Sequence, residues 1–245
     1  MHSFIQLVTL MNIRNLKYIL AACLLLCVGV VAYASVFSAQ CVKPPSSAGE
    51  IGDWDRNIDI ETWSQSAKTP DASDEVWIDS GYYVRIFDGS HTLSKLEMRA
   101  GESGANLEIS GGCLEITGIA KFEGTGNSIV VSGGNLTIYW AYGGIDGLRI
   151  SSGSFEIENG NWDTILNLSQ SGGEVILHSL DLQGPGAYVF EPKSTGVLKV
   201  ETDTTPTEFF ADHIDSEILK DPADKWVYGS ESINSATYAT LSVGN

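Results

Sequence analysis

Two kinds of side chain in this 245-residue chain have the types and spacing to do chemistry. The first is aromatic. Tyr139-Trp140-Ala141-Tyr142-Gly143-Gly144 places three aromatic rings within four residues, and Trp162 follows 20 residues after Tyr142. Exposed Trp and Tyr combine a large apolar face with a polar handle, which suits them to stack on sugar rings. Buried, the same residues would instead fill the core or a contact with a neighbouring chain. Tyr139, Trp140, Tyr142 and Trp162 are therefore the candidate ligand-binding residues, and an extracellular glycan or a surface protein is the expected partner. The second kind is acidic. Glycoside hydrolysis needs two carboxylates flanking one bond, and calcium-assisted elimination needs a tight carboxylate cluster beside Arg or Lys. Asp53, Asp55, Asp59 and Glu61 alternate with Trp54, Ile58 and Ile60, which reads as the solvent side of a strand and not as a calcium loop. His91, His178 and His213 share no metal-ligand spacing, and no Gly-x-Ser-x-Gly element, Cys-x-x-Cys pair or phosphate-binding loop occurs. No catalytic residue, metal ligand or cofactor is expected, and the chain reads as a non-enzyme.

Whatever positions these side chains is built from a repeat. Leu107-Glu108-Ile109-Ser110-Gly111-Gly112-Cys113-Leu114-Glu115-Ile116 is the clearest unit, and Ile129-Val130-Val131-Ser132-Gly133-Gly134-Asn135-Leu136-Thr137-Ile138 is a second copy. Leu148-Arg149-Ile150-Ser151-Ser152-Gly153-Ser154-Phe155-Glu156-Ile157 is a third. A fourth carries Leu166-Asn167-Leu168, Ser171-Gly172-Gly173 and Val175-Ile176-Leu177, read with two extra residues in its turn. Val76-Trp77-Ile78 with Val84-Arg85-Ile86 reads as a looser early copy, and Ser194-Thr195-Gly196 with Leu198-Lys199-Val200 as a degenerate last one. The first apolar residues after the turn are Leu114, Leu136, Phe155, Val175 and Leu198, spaced by 22, 19, 20 and 23 residues.

A period near 20 fits one coil of a solenoid. Two short strands would meet at the Ser-Gly-Gly corner, where glycine permits the positive φ of a sharp bend. A more variable third side would hold Ile119 and Phe122, Tyr139 and Trp140, and Leu180 and Leu182. The expected fold is all-β: a single-stranded, right-handed parallel β-helix of about six coils with terminal caps, about 30 Å long at one strand spacing per coil. Gly-Gly between alternating runs is also a hairpin signal, so an antiparallel β-sandwich is the alternative. In the solenoid Leu114, Leu136 and Phe155 form one inward stack. Glu115, Thr137, Glu156, Ile176 and Lys199 then point outward, and Thr137 should tolerate even Asp. Glu115 and Glu156 would lie two coils apart, roughly 10 Å, slightly too far for either glycosidase geometry.

The order along the chain is a leader over 1–34, a linker over 35–50 and an N-terminal cap over 51–75 with Ile51, Trp54, Ile58, Ile60 and Trp63. The repeats follow over 76–203. A C-terminal cap over 204–245 contains one short helix near residues 209–219.

The segment from Trp54 to Val131 resembles the β-solenoid repeats of large secreted bacterial surface proteins, including autotransporter passenger regions and related planctomycete and verrucomicrobial proteins. The matching residues are Trp63 before Thr69-Pro70, then Asp74-Glu75-Val76-Trp77-Ile78 and Gly81, then the repeated Leu-x-Ile-Ser-Gly-Gly-x-Leu-x-Ile. The resemblance is one of repeat style. It implies an extracellular structural or adhesive role and brings no catalytic residues. A carbohydrate-binding solenoid is the alternative. Parallel β-helices also house pectate-lyase-like enzymes, which makes a polysaccharide-degrading enzyme the second alternative.

Export is expected from residues 19–34, which carry no charge, follow Arg14 and Lys17, and end on Ala32-Tyr33-Ala34. A basic start, an apolar middle and small residues at the cleavage site make a secretory signal peptide. Met11 opens a more typical leader than Met1. Left uncleaved, the apolar run is long enough to anchor the chain, and the membrane would be touched through that segment alone. Either way residues 35–245 lie outside the cytoplasm. Loss of Arg14 and Lys17 takes the net charge from −17 to about −19, since none of the 31 acidic residues precedes Glu50. That balance opposes nucleic acid, whose phosphates need Lys and Arg. Cys23 and Cys27 leave with the leader; Cys41 and Cys113 remain, and an oxidising compartment permits a bridge between them.

Overall fold

Short alternating runs broken by glycine cannot sustain a helix, and here they stack as strands. The computed structural model describes residues 36–38, 52–54, 69–160, 167–178, 187–215, 219–220 and 225–244. The expected leader, Cys41, Ile51, Ile58, Ile60 and Trp63 of the expected N-terminal cap, Asp55, Asp59 and Glu61, Trp162, Leu180 and Leu182 lie outside these residues, as does the expected linker except for Val36–Ser38, which forms a strand and is no linker. Among the described residues no helix is long and apolar enough to cross a membrane.

The chain enters through β1 (Val36–Ser38), β2 (Gly52–Asp53) and β3 (Glu75–Asp79). Each following turn adds a short strand and then a second one across a corner: β4 (Tyr83–Ile86) and β5 (Ser90–Arg99), β6 (Asn106–Ile109) and β7 (Cys113–Glu123), β8 (Ser128–Val131) and β9 (Asn135–Gly143). β10 (Gly147–Ile150) and β11 (Ser154–Gly160), β12 (Asn167–Gln170) and β13 (Glu174–Leu177), and β14 (Ala187–Phe190) and β15 (Val197–Glu201) continue the series. Even-numbered strands pair in parallel from β2 to β14 and odd-numbered ones from β1 to β15. The result is a parallel β-solenoid of about five turns. Parallel pairing of successive repeats removes the sandwich alternative.

The repeat spacing is the register. Leu114 pairs with Leu136, Leu136 with Phe155, Phe155 with Val175 and Val175 with Leu198, and all five are essentially inaccessible to solvent. On the first side Val84, Leu107, Ile129 and Leu148 form another such stack. At the corner between the two sides, Gly112 and Gly153 adopt φ of 65° and 81°.

The long strands β5, β7 and β9 bend within themselves and so supply the third side. Alternation breaks at the bend, where Tyr139 and Trp140 are both exposed between buried Ile138 and Ala141. Beyond it the second half of β5 pairs with β3 and with β7, and that of β7 with β9. Val76 and Ile78, Leu96 and Met98, Ala120 and Phe122, and Ala141 close the core from this side.

Three readings of the repeat need correction. Val76-Trp77-Ile78 pairs with Leu96-Glu97-Met98 on the third side, and Val84 pairs with Leu107. The early copy was therefore one side out of phase, because both sides carry the same apolar alternation. The fourth copy has no insertion: Leu168 pairs with Leu148 and Gln170 with Ile150. Gln170 thus occupies a core slot, where its amide donates to the carbonyls of Gly173 at 2.9 Å and Val197 at 3.3 Å and accepts from the Tyr188 hydroxyl. Lys199, expected outside, is buried beneath the C-terminal cap and bridges Glu174 at 3.1 Å and Glu231 at 2.9 Å.

That cap is α1 (Pro206–Asp215) followed by β16 (Leu219–Lys220), β17 (Trp226–Ile233) and β18 (Ala236–Val243). α1 begins earlier than expected because Thr205-Pro206 is a natural start: Pro sits at the first helical position, where a missing N–H costs nothing. Phe210 of α1 is fully buried. β18 pairs antiparallel with β15 and with β17, which ends the parallel stack. At the other end Trp54 is buried, its ring 5.7 Å from that of His91.

Candidate functional site

The bend in β9 delivers the aromatic residues to the surface. A strand turning a corner outward must show two consecutive residues to solvent, and here they are Tyr139 and Trp140. Ala141 returns inward and Tyr142 outward. Tyr139, Trp140 and Tyr142 are 44%, 41% and 41% exposed, and Ile119, the β7 residue in register with Trp140, is 43% exposed. The Trp140 and Tyr142 rings stand 6.5 Å apart with planes only 17° from parallel, as expected of residues i and i+2 on one strand face. Tyr139 meets Trp140 edge-on at 6.1 Å. The structure thus brings together three of the four predicted ligand residues; the fourth, Trp162, lies outside the described residues. The reading in which these rings fill the third side does not hold for the three.

The cluster borders a charged lattice on the same side. Register places Glu75, Lys95, Ile119, Trp140 and Asn159 in one row, and Trp77, Glu97, Lys121 and Tyr142 in the next. Lys95 lies 3.2 Å from Glu75 and 3.3 Å from Glu97. Arg99 bonds Glu97 at 3.0 Å and covers the Trp77 ring at 3.7 Å. Lys121 pairs with Glu123. The hydrogen bond from Arg99 holds the Glu97 carboxyl below the usual carboxylate range, against the opposing effect of burial. This face can hold a ligand by stacking and by hydrogen bonds.

A second constellation escaped the sequence reading. His178 Nε2 lies 2.7 Å from Glu156, its Nδ1 3.2 Å from Glu201, and the Tyr238 hydroxyl 2.8 Å from Nδ1. Burial, and then the charges of Glu201 and Glu156, push the Tyr238 phenol up to about 12. An open cavity of about 690 Å³, lined by His178, Glu201, Asp203, Asn234 and Thr237, adjoins it. The imidazole fills the space between the two carboxylates, so they do not flank a substrate bond. The signal available in sequence was register alone: His178 follows Leu177 and Glu201 follows Val200, residues that pair. Tyr238 arrives from the cap and has no repeat to announce it. Among the described residues no group of three or more His, Cys, Asp or Glu side chains is arranged to hold a metal ion. Glu115 and Glu156 each pair with Thr137 between them, the two-coil separation expected. Cys113 is a free thiol, its sulfur 3.6 Å from the Asn135 amide; its proposed partner Cys41 is outside the described residues.

No family model, curated protein or solved structure matches the chain.

Proposed function

We propose that this chain is an exported, non-catalytic repeat protein of the cell surface or matrix, and that it adheres to glycan through Tyr139, Trp140 and Tyr142. One observation carries the reading: four of the seven exposed large apolar side chains among the described residues, Ile119, Tyr139, Trp140 and Tyr142, gather at a single bend of an acidic solenoid. Scattered exposed apolar residues need no explanation, but a contiguous group of aromatic rings, two of them near-parallel, supports a contact surface. Sugar rings, with apolar C–H faces and hydroxyl edges, match rings bordered by Lys121 and Asn159. The non-catalytic part of the reading is supported by the self-contained His178 network and by carboxylates Glu115 and Glu156 held two coils apart.

A glycan-array screen of residues 35–245, repeated with a Trp140→Ala/Tyr142→Ala double variant, tests both parts. The expected result is a bound glycan lost in the variant, with the β-rich circular dichroism spectrum unchanged. Unfolding of the variant would return the rings to the core. Binding that persists in a folded variant would place adhesion elsewhere. Release of reducing sugar or unsaturated uronate by the purified protein would overturn the non-catalytic reading.

A further inference from the structure

We infer, resting on the glycan reading above, that the ligand is a neutral, extended β-1,4-linked oligosaccharide lying along the solenoid axis, across the coils from Tyr142 and Trp140 toward Arg99 and Trp77.

The direction comes from the register. The exposed apolar footprint already crosses a coil boundary, because Ile119 belongs to β7 and Trp140 to β9. A chain laid along β9 would leave the sheet at Gly143, which ends that strand. A chain laid across the coils meets Tyr142, Lys121, Glu97 and Trp77 in succession on one row. Three strand spacings separate the ends of that row, about 14 Å, which accommodates an oligomer and exceeds one sugar. The row passes from ring faces to groups that hydrogen-bond hydroxyls: the Lys121 ammonium and the Arg99 guanidinium spread over Trp77, the latter held in place by the buried Glu97 carboxylate.

The shape of the ligand follows from the shape of the face. Coils in register set their outward side chains in straight rows across the strands, and a β-1,4 chain with equatorial linkages is an extended ribbon whose C–H faces lie along such a row. An α-1,4 chain coils and would touch the face at intervals. Charge selects neutrality. Lys95, Arg99 and Lys121 are each already bonded to a carboxylate of the same face, so a uronate would have to displace Glu75, Glu97, Asp79 or Glu123. The net charge of −17 repels it further.

Calorimetric titration of residues 35–245 with β-1,4-glucose oligomers of two and six sugars, an α-1,4-glucose hexamer and a β-1,4-linked uronate hexamer tests the inference. The β-1,4 hexamer should bind at least about tenfold more tightly than the dimer, the α-1,4 hexamer and the uronate hexamer, since only it engages the whole row at once. Lys121→Met and Arg99→Met should each weaken the hexamer about three- to tenfold and leave the dimer unchanged, with the unfolding midpoint reporting that each variant is folded. Equal affinity for dimer and hexamer, both abolished by Trp140→Ala/Tyr142→Ala, would confine the ligand to the rings: the axial footprint would be wrong and glycan adhesion would stand. Preference for the α-1,4 or the uronate hexamer would overturn the ribbon or the neutrality in turn. Hexamer binding indifferent to the double aromatic variant, or no binding by any of the four probes, would overturn the inference, and the first of these would remove the aromatic reading as well.

Discussion

Leu136 and Thr137 are neighbours in sequence and live in opposite environments. Leu136 is sealed between Leu114 and Phe155, whereas Thr137 faces outward between Glu115 and Glu156, its hydroxyl 3.5 Å from the Glu156 carboxylate. Leu136→Asp would strand a charge inside the stack at a cost of several kcal/mol and should abolish the cooperative urea transition. Thr137→Asp keeps the carboxylate in solvent, but two glutamates flank it, so a loss of about 1 kcal/mol is expected in place of full tolerance. Thr137→Lys should be neutral or slightly stabilising for the same reason. Urea midpoints at constant slope would check the order; equal tolerance of Asp at both positions would refute the strand phase. Outwardness was legible from the alternation, and the charged neighbours were legible only once the register was known. Gln170 is the counterexample: a polar residue in a core slot looks like a turn residue until the carbonyls that satisfy it are in place.

Corners and caps are decided at the scale of elements. Gly153 has φ of 81°, and a Cβ there would lie 1.9 Å from the Gly134 carbonyl oxygen of the coil below. Gly147 meets nothing closer than 3.7 Å and has ordinary backbone. Gly153→Ala should therefore cost roughly 2–4 kcal/mol, from strain at φ and displaced backbone, while Gly147→Ala should be neutral or stabilise by about 0.5 kcal/mol through the unfolded chain. Thermal midpoints of the two variants would separate them. The C-terminal hairpin is tied to the rod by Tyr238 on His178 and by Lys199 between Glu174 and Glu231. Burial raises the Tyr238 phenol to about 12, reinforced by Glu201 and Glu156. For the Lys199 ammonium burial acts downward, but its hydrogen bonds to Glu231 and Glu174 prevail and its pKa is raised. Both folded values exceed the unfolded ones near 10, so the stability they contribute is present below about pH 10 and is lost as pH rises through the folded values. The melting temperature should fall between about pH 10 and 12, and Tyr238→Phe should show a smaller fall. Identical falls would remove Tyr238 from the linkage.

At the scale of the whole molecule the charge and the proposed leader act together. Export would place an acidic rod outside the cell, where the mature chain should begin at Ser35, two residues after Tyr33 of the Ala32-Tyr33-Ala34 site. N-terminal sequencing of secreted material checks this; a membrane-retained chain starting at Met1 or Met11 would show the apolar run to be an anchor. β1 (Val36–Ser38) begins just beyond that point and pairs in parallel with β3, so the proposed mature chain enters the sheet almost at once.

By itself the sequence determined the architecture, because in a solenoid the period of the inward apolar residues is the strand register: the spacing of Leu114, Leu136, Phe155, Val175 and Leu198 is a local property that stacking preserves. It also determined which residues could form a contact surface, since three aromatics lie within one strand. Tertiary structure alone decided that those rings face solvent, because the bend in β9 depends on how β5 and β7 turn beneath it. It alone assembled His178 with Glu156, Glu201 and Tyr238, and buried Lys199. Those groups come from separate coils and from a cap that reverses the strand direction, and no periodicity in the chain encodes a contact made by departing from the repeat.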